Sequence, residues 1–97
     1  MFDTFKKFDK LHRDGGPAHI VYDKYKNIVF EKYFVNGKYH REGGPAIIYY
    51  DINGSILTET YYKNGRCHRK GGPAIIEYYK NGSVFNEQYY INGKKIS

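Results

Sequence analysis

Ninety-seven residues carrying a formal charge of +6 suffice for one small domain and are too few for two independent cores. Three Ala and two Leu against twelve Tyr, ten Ile and six Phe weigh against helix and for a pleated, half-buried surface. The single cysteine, Cys67, excludes an intrachain disulfide, no apolar run is long enough for a membrane-spanning helix, and the positive charge favours anionic partners without specifying which.

The chain repeats itself. His12-Arg13, His40-Arg41 and His68-Arg69 recur at a spacing of 28 residues, and the register holds without a gap over units 12–39, 40–67 and 68–95. The second and third units share 17 of 28 positions and the first and second share 14, which makes residues 1–97 a single repeat domain.

Residues 1–11 come first and align with the end of a unit. Phe2-Asp3-Thr4-Phe5 lies over Phe30-Glu31-Lys32-Tyr33, and Lys10-Leu11 over Lys38-Tyr39. They read as the tail of a degenerate preceding unit; the alternative is a short amphipathic helix with Phe2, Phe5 and Phe8 on one side. The stretch lacks the continuous apolar segment of a secretory signal, so a cytoplasmic, reducing setting is expected.

Each unit opens on His-Arg-x-Gly-Gly-Pro-Ala, at 12–18, 40–46 and 68–74. Proline removes a backbone donor and the glycines admit left-handed backbone, so this segment is a bend that re-aims the chain. A strand follows. Its columns Ile20, Ile48, Ile76 and Tyr22, Tyr50, Tyr78 are uniform, while the column between them reads Val21, Tyr49, Glu77. Period-two alternation therefore packs Ala, Ile and Tyr on one face and turns the variable column to solvent. Asn53-Gly54 and Asn81-Gly82 close the next turn, as a two-residue type I′ pair by the usual preference; Tyr25-Lys26 stands there in the first unit and predicts a different loop.

The second strand sets Val29, Leu57 and Phe85 on one face with Glu31, Glu59, Glu87 and Tyr33, Tyr61, Tyr89. A carboxylate on an aromatic face needs a partner, and the repeated Arg predicts a Glu–Arg ladder, such as Glu59 with Arg41 or Arg69, completed by Tyr hydroxyls. Asn36-Gly37, Asn64-Gly65 and Asn92-Gly93 then close a second kind of turn. The expected fold is all-β: an elongated single-layer antiparallel meander of repeated β-hairpins, with edge strands open to dimerisation.

The Tyr-Tyr-x-Asn-Gly-[Lys/Arg] hairpins at 61–66 and 89–94 resemble the MORN-repeat variant proteins. The His-Arg-x-Gly-Gly-Pro-Ala insert resembles a subtype common in phages, giant viruses and some bacteria. The resemblance covers nearly the whole chain and implies an elongated antiparallel sheet used for protein association or, in some members, for binding acidic lipid head groups. The chain departs from the usual pattern in its 28-residue period, its lack of Trp and its extra Gly-Gly-Pro bend.

The chemistry points to binding. Equivalent His residues two strands apart lie roughly 9–10 Å from one another, too far for one ion to bridge, so no metal or cofactor is expected. Catalytic sites combine dissimilar residues in one pocket, whereas three equal copies distribute one chemistry along an edge, so an enzyme is not expected. Cys67 is replaced by Tyr39 and Lys95 in the other units and is read as incidental. The bend is either a tight turn held by Arg and His or a nest-like anion site.

Two functional classes follow. In the first, a non-enzymatic module presents Tyr, Arg and His to a protein partner or to its own copies. In the second, the chain sequesters a phosphate-bearing ligand such as a nucleotide, cyclic nucleotide or nucleic acid, as a phage or viral counter-defence protein in the host cytoplasm. His40, Arg41, His68 and Arg69 are the candidate polar contacts, and Tyr49, Tyr62, Tyr79 and Tyr90 the candidate aromatic ones.

Overall fold

The computed structural model covers residues 1–97 and is all-β, with no helix. Seven strands form the main antiparallel sheet: β1 (Phe2–Thr4), β4 (His19–Tyr22), β5 (Ile28–Lys32), β8 (Ile47–Tyr50), β9 (Ile56–Thr60), β12 (Ile75–Tyr78) and β13 (Val84–Gln88), neighbours in that order. Four short hairpins run beside it: β2 (Lys6–Lys7) with β3 (Lys10–Leu11), β6 (Phe34–Val35) with β7 (Lys38–Tyr39), β10 (Tyr62–Lys63) with β11 (Arg66–Cys67), and β14 (Tyr90–Ile91) with β15 (Lys94–Lys95). The sheet does not close into a barrel, and the molecule is a slab of 35 × 32 × 16 Å. No helix is long and apolar enough to cross a membrane.

The hairpins are bonded to one another as well as internally. The amides of Gly37, Gly65 and Gly93 each donate to the carbonyl one unit back, Leu11, Tyr39 and Cys67, at 2.8 Å. Each second strand runs on into its hairpin through one junction residue, whose amide (Phe5, Tyr33 or Tyr61) donates to the carbonyl of Ala18, Ala46 or Ala74. Sheet and hairpin row therefore advance together, one unit at a time. At the N-terminus, β1 pairs with β4 in the register Phe2–Val21, Asp3–Ile20, Thr4–His19, so these residues form a strand and not the alternative helix.

The core is thin. Ala18, Ala46 and Ala74 are fully buried and Ile20, Ile48 and Ile76 nearly so; these six form the core, and Pro45 of the second bend is the one other buried apolar side chain. The isoleucines face carboxylates across the strands. Register places Asp3, Ile20, Glu31, Ile48, Glu59, Ile76 and Glu87 in one row over all seven strands.

The carboxylates of that row do not pair with arginine. No Lys or Arg lies within 4.0 Å of a carboxylate anywhere in the chain, so the expected Glu59 ladder with Arg41 or Arg69 does not form. Tyrosine takes its place. The Tyr22 hydroxyl donates to Asp3 at 2.9 Å, Tyr50 to Glu31 at 2.6 Å, and Tyr78 to Glu59, each from one unit to the unit before. A neutral donor satisfies the carboxylate without drawing a second charge onto the apolar face, which would cost desolvation twice.

The turns also differ from expectation in part. Asn36-Gly37, Asn64-Gly65 and Asn92-Gly93 hold positive φ at both residues, as a type I′ turn requires. At Asn53-Gly54 and Asn81-Gly82 only the glycine does. These are longer loops: the Gly54 amide bonds the Asp51 carbonyl, Gly54 is left-handed, and the pairing shifts register between Tyr49 and Tyr50. The first unit uses the same loop rather than a different one. Lys26 stands in Gly54's place with φ 68°, and the Asp23 carboxylate accepts from the Tyr25 and Asn27 amides as Asp51 does from Asn53 and Ser55. The third unit closes the same backbone bonds with Tyr79 at the loop's start, so neither the carboxylate there nor the residue at the tip is required for this shape.

A left-handed residue with a Cβ costs roughly 1–2 kcal/mol. Lys26→Gly should therefore raise the unfolding free energy by about 0.5–1 kcal/mol after glycine's unfolded-state entropy is subtracted, measurable by urea denaturation. The tyrosine–carboxylate steps predict an alkaline transition. Burial first, and then the hydrogen bond to Glu59, push Tyr78 up to about 12. The folded state thus holds a proton that the unfolded chain releases near pH 10, and stability present below pH 10 falls as pH rises towards 12. Melting profiles across that window should be flatter for Tyr78→Phe than for the parent chain.

Candidate functional site

The His-Arg-x-Gly-Gly-Pro-Ala bends line up along the junction between sheet and hairpins. Inside each, the arginine folds back over its own loop. The guanidinium carbons of Arg13, Arg41 and Arg69 lie 4.0, 4.0 and 4.1 Å from the ring centres of Phe5, Tyr33 and Tyr61. Each Nη1 donates to the carbonyl of Pro17, Pro45 or Pro73 at 3.1–3.2 Å. The other side of the guanidinium rests on the second glycine of the bend: a Cβ on Gly44 would sit 2.8 Å from Arg41 Cζ. The second glycine is needed for this approach, and the first for its left-handed φ of 77–82°.

The histidines anchor the next hairpin. Nδ1 of His12, His40 and His68 accepts from the amides of Asn36, Asn64 and Asn92 at 3.0, 3.0 and 2.9 Å. An Nδ1 that accepts leaves the proton of a neutral imidazole on Nε2. In the first two units that Nε2–H donates to a carboxylate two residues on, Asp14 or Glu42, at 3.1 Å. Lys70 stands in this position in the third unit, and His68 Nε2 makes no hydrogen bond within the chain.

Clefts open between successive bends. One of about 450 Å³ is lined by Arg13, Asp14, Tyr33, His40, Arg41 and Glu42 among others. A second, of about 370 Å³, is lined by Arg41, Glu42, Tyr61, Tyr62, His68 and Arg69, with Lys63 and Lys70 at its rim. Of the eight residues singled out from sequence, His40, Arg41, His68, Arg69 and Tyr62 are thus brought together along the bends. Three are elsewhere. Tyr49 lies on the opposite sheet face in a file of rings, Phe2, His19, Phe30 and Tyr49, with neighbouring centres 5.2–6.1 Å apart and Lys32 Nζ 4.3 Å from the Phe30 ring. Tyr79 starts the last sheet loop and packs on Phe85 at 5.0 Å, and Tyr90 belongs to the final hairpin.

A third cleft, of about 500 Å³, lies along the hairpins and was not anticipated. Lys38, Lys63, Arg66, His68 and Lys70 line it with Asn64 and Asn92, and no carboxylate or apolar side chain contributes. The signal was present in the motif: its variable position reads Asp14, Glu42, Lys70.

No cluster of three or more His, Cys, Asp or Glu side chains could hold a metal ion. Burial pushes the Cys67 thiol up from its ordinary value, away from the thiolate a nucleophile needs.

Arg41→Ala should cost about 2 kcal/mol of stability, from the lost stack and the lost bond to the Pro45 carbonyl. Arg41→Lys should recover less than half of it, because an ammonium cannot lie flat between ring and glycine while reaching the carbonyl. Equilibrium denaturation of the three proteins decides this, and equal midpoints would contradict a structural role for the guanidinium. Comparison of the chain with protein-family models, with curated proteins and with solved structures found no match in any of the three.

Proposed function

We propose that the protein is a non-enzymatic β-repeat binding module that works by protein association, with a second copy of itself as the first partner. The observation that carries this reading is the state of the sheet's two ends. β1 and β13 are each paired on one side only, so both present a row of free backbone donors and acceptors. Apolar side chains crowd these edges: Phe2 is 64 % exposed at one, and Val84 and Phe85 are 45 % and 52 % exposed at the other, beside Tyr79 at 56 %. Exposed large apolar groups beside an open strand suit pairing with another chain.

The resemblance to MORN-repeat variant proteins supports the same reading, as do the bends. Their arginines and all three histidines already have partners within the chain, with only Nε2 of His68 left over, so they serve the scaffold before any ligand. Repetition of one chemistry three times also suits a surface better than a reaction centre.

Analytical ultracentrifugation over a wide concentration range should show reversible self-association that Phe85→Lys weakens at least tenfold, since lysine on an edge blocks strand addition. A strict monomer at the highest concentration would remove self-assembly and leave only a different protein as partner.

A further inference from the structure

The three units form an internal comparison. In two of them an acidic side chain supplied by the chain itself accepts the Nε2–H of the bend histidine: Asp14 for His12 and Glu42 for His40. In the third, the backbone is the same, Nδ1 of His68 is held in the same way by the Asn92 amide, and Lys70 replaces the acid. The donor remains and its intramolecular anion does not. Where Glu42 neutralises the site around His40, three lysines and an arginine surround His68: Lys38, Lys63, Arg66 and Lys70.

The neighbouring unit also shows how specific this is. One repeat back, the positions of Lys63 and Lys70 are held by Val35 and Glu42. The change between the two units therefore adds two cations and removes one anion at a single place. The stems of two of the four cations lie over turns. A Cβ on Gly65 would meet the Lys38 stem at 3.6 Å and one on Gly93 would meet the Arg66 stem at 3.7 Å, each at the turn of the next hairpin. A side chain laid along a rigid turn loses less freedom on binding than one waving in solvent.

We propose that the cleft of Lys38, Lys63, Arg66, His68 and Lys70 binds a compact polyanion carrying two or more linked phosphates, one of which takes the place that Glu42 occupies beside His40. Phosphate fits the donors. Each group offers several acceptor oxygens and more than one charge, Arg66 presents a planar fork, and the lysines act as point charges. A volume of about 500 Å³ admits more than one such group, and the absence of apolar lining means that charge, not a base or an acyl chain, is recognised. The site is distinct from the sheet edges, so a monomer that binds phosphate would remove self-assembly and leave this proposal standing.

Calorimetric titration of the full chain with sodium tripolyphosphate at fixed ionic strength tests it. Saturable one-to-one binding is expected. Lys70→Glu should weaken it at least tenfold while melting temperature holds or rises, because His68 then gains the bond that His12 and His40 already have. Lys63→Val, which copies the preceding unit, should weaken it by a smaller factor. ATP and a single-stranded oligothymidylate serve as further arms. Competition by ATP at the same site identifies a nucleoside polyphosphate as an acceptable source. Binding of the oligonucleotide alone, abolished by Lys70→Glu and falling steeply with salt, identifies a nucleic-acid backbone. Absence of binding by all three at millimolar concentration, or affinity unchanged in Lys70→Glu, would overturn the proposal.

Discussion

The arginine clamped between an aromatic ring and a glycine is the contact on which the architecture depends. A seven-stranded sheet one layer thick has almost no interior, and six small or medium apolar side chains cannot hold it by burial alone. Each guanidinium compensates by doing three jobs in one plane. It covers the ring of the preceding unit, it lies on the bend glycine, and it ties the bend's own carbonyl. The motif's composition follows from this. Arginine supplies the flat cation, the two glycines supply a left-handed step and a surface without a Cβ, and proline supplies a carbonyl in fixed orientation.

The second constraint is directional. The tyrosine hydroxyls bond the carboxylate 19 residues back, always in the preceding unit, while each histidine holds the Asn amide 24 residues on within its own unit. Such contacts are nearest-neighbour in the sense of a solenoid, and stability accumulates by interfaces rather than around one centre. The ends are consequently different from the middle. Glu87 stands in the carboxylate row and accepts no tyrosine hydroxyl, and Phe2 on β1 is largely exposed.

Much of this was legible in the residues. The 28-residue register located the strands of the main sheet, the first of each unit because its Ile and Tyr columns hold their identity through three copies, and the alternation told the packed face from the open one. The partner of the conserved carboxylates was not legible. Glu31 and Glu59 lie on a face with both a cation and a phenol within reach, and one-dimensional spacing cannot tell that the cation is drawn away by a ring and a carbonyl. The geometry of the bulged loops is not legible for a related reason: the Asn-Gly pair carries no sign of the register shift before it, between Tyr49 and Tyr50 in the second unit and between Glu77 and Tyr78 in the third. The basic cleft is not legible in what the copies share; its meaning lies in the motif position where they disagree, Asp14, Glu42 and Lys70.

The uniform junctions have a bearing on how such a chain grows. Because strand, turn, hairpin and bend all recur with the same 28-residue step, duplicating any contiguous stretch of that length, wherever the cut falls, creates seams that match existing ones. A copying error of that size yields a foldable protein at once, with no new interface to invent. Divergence can then begin on the added segment alone, leaving its siblings to keep the framework.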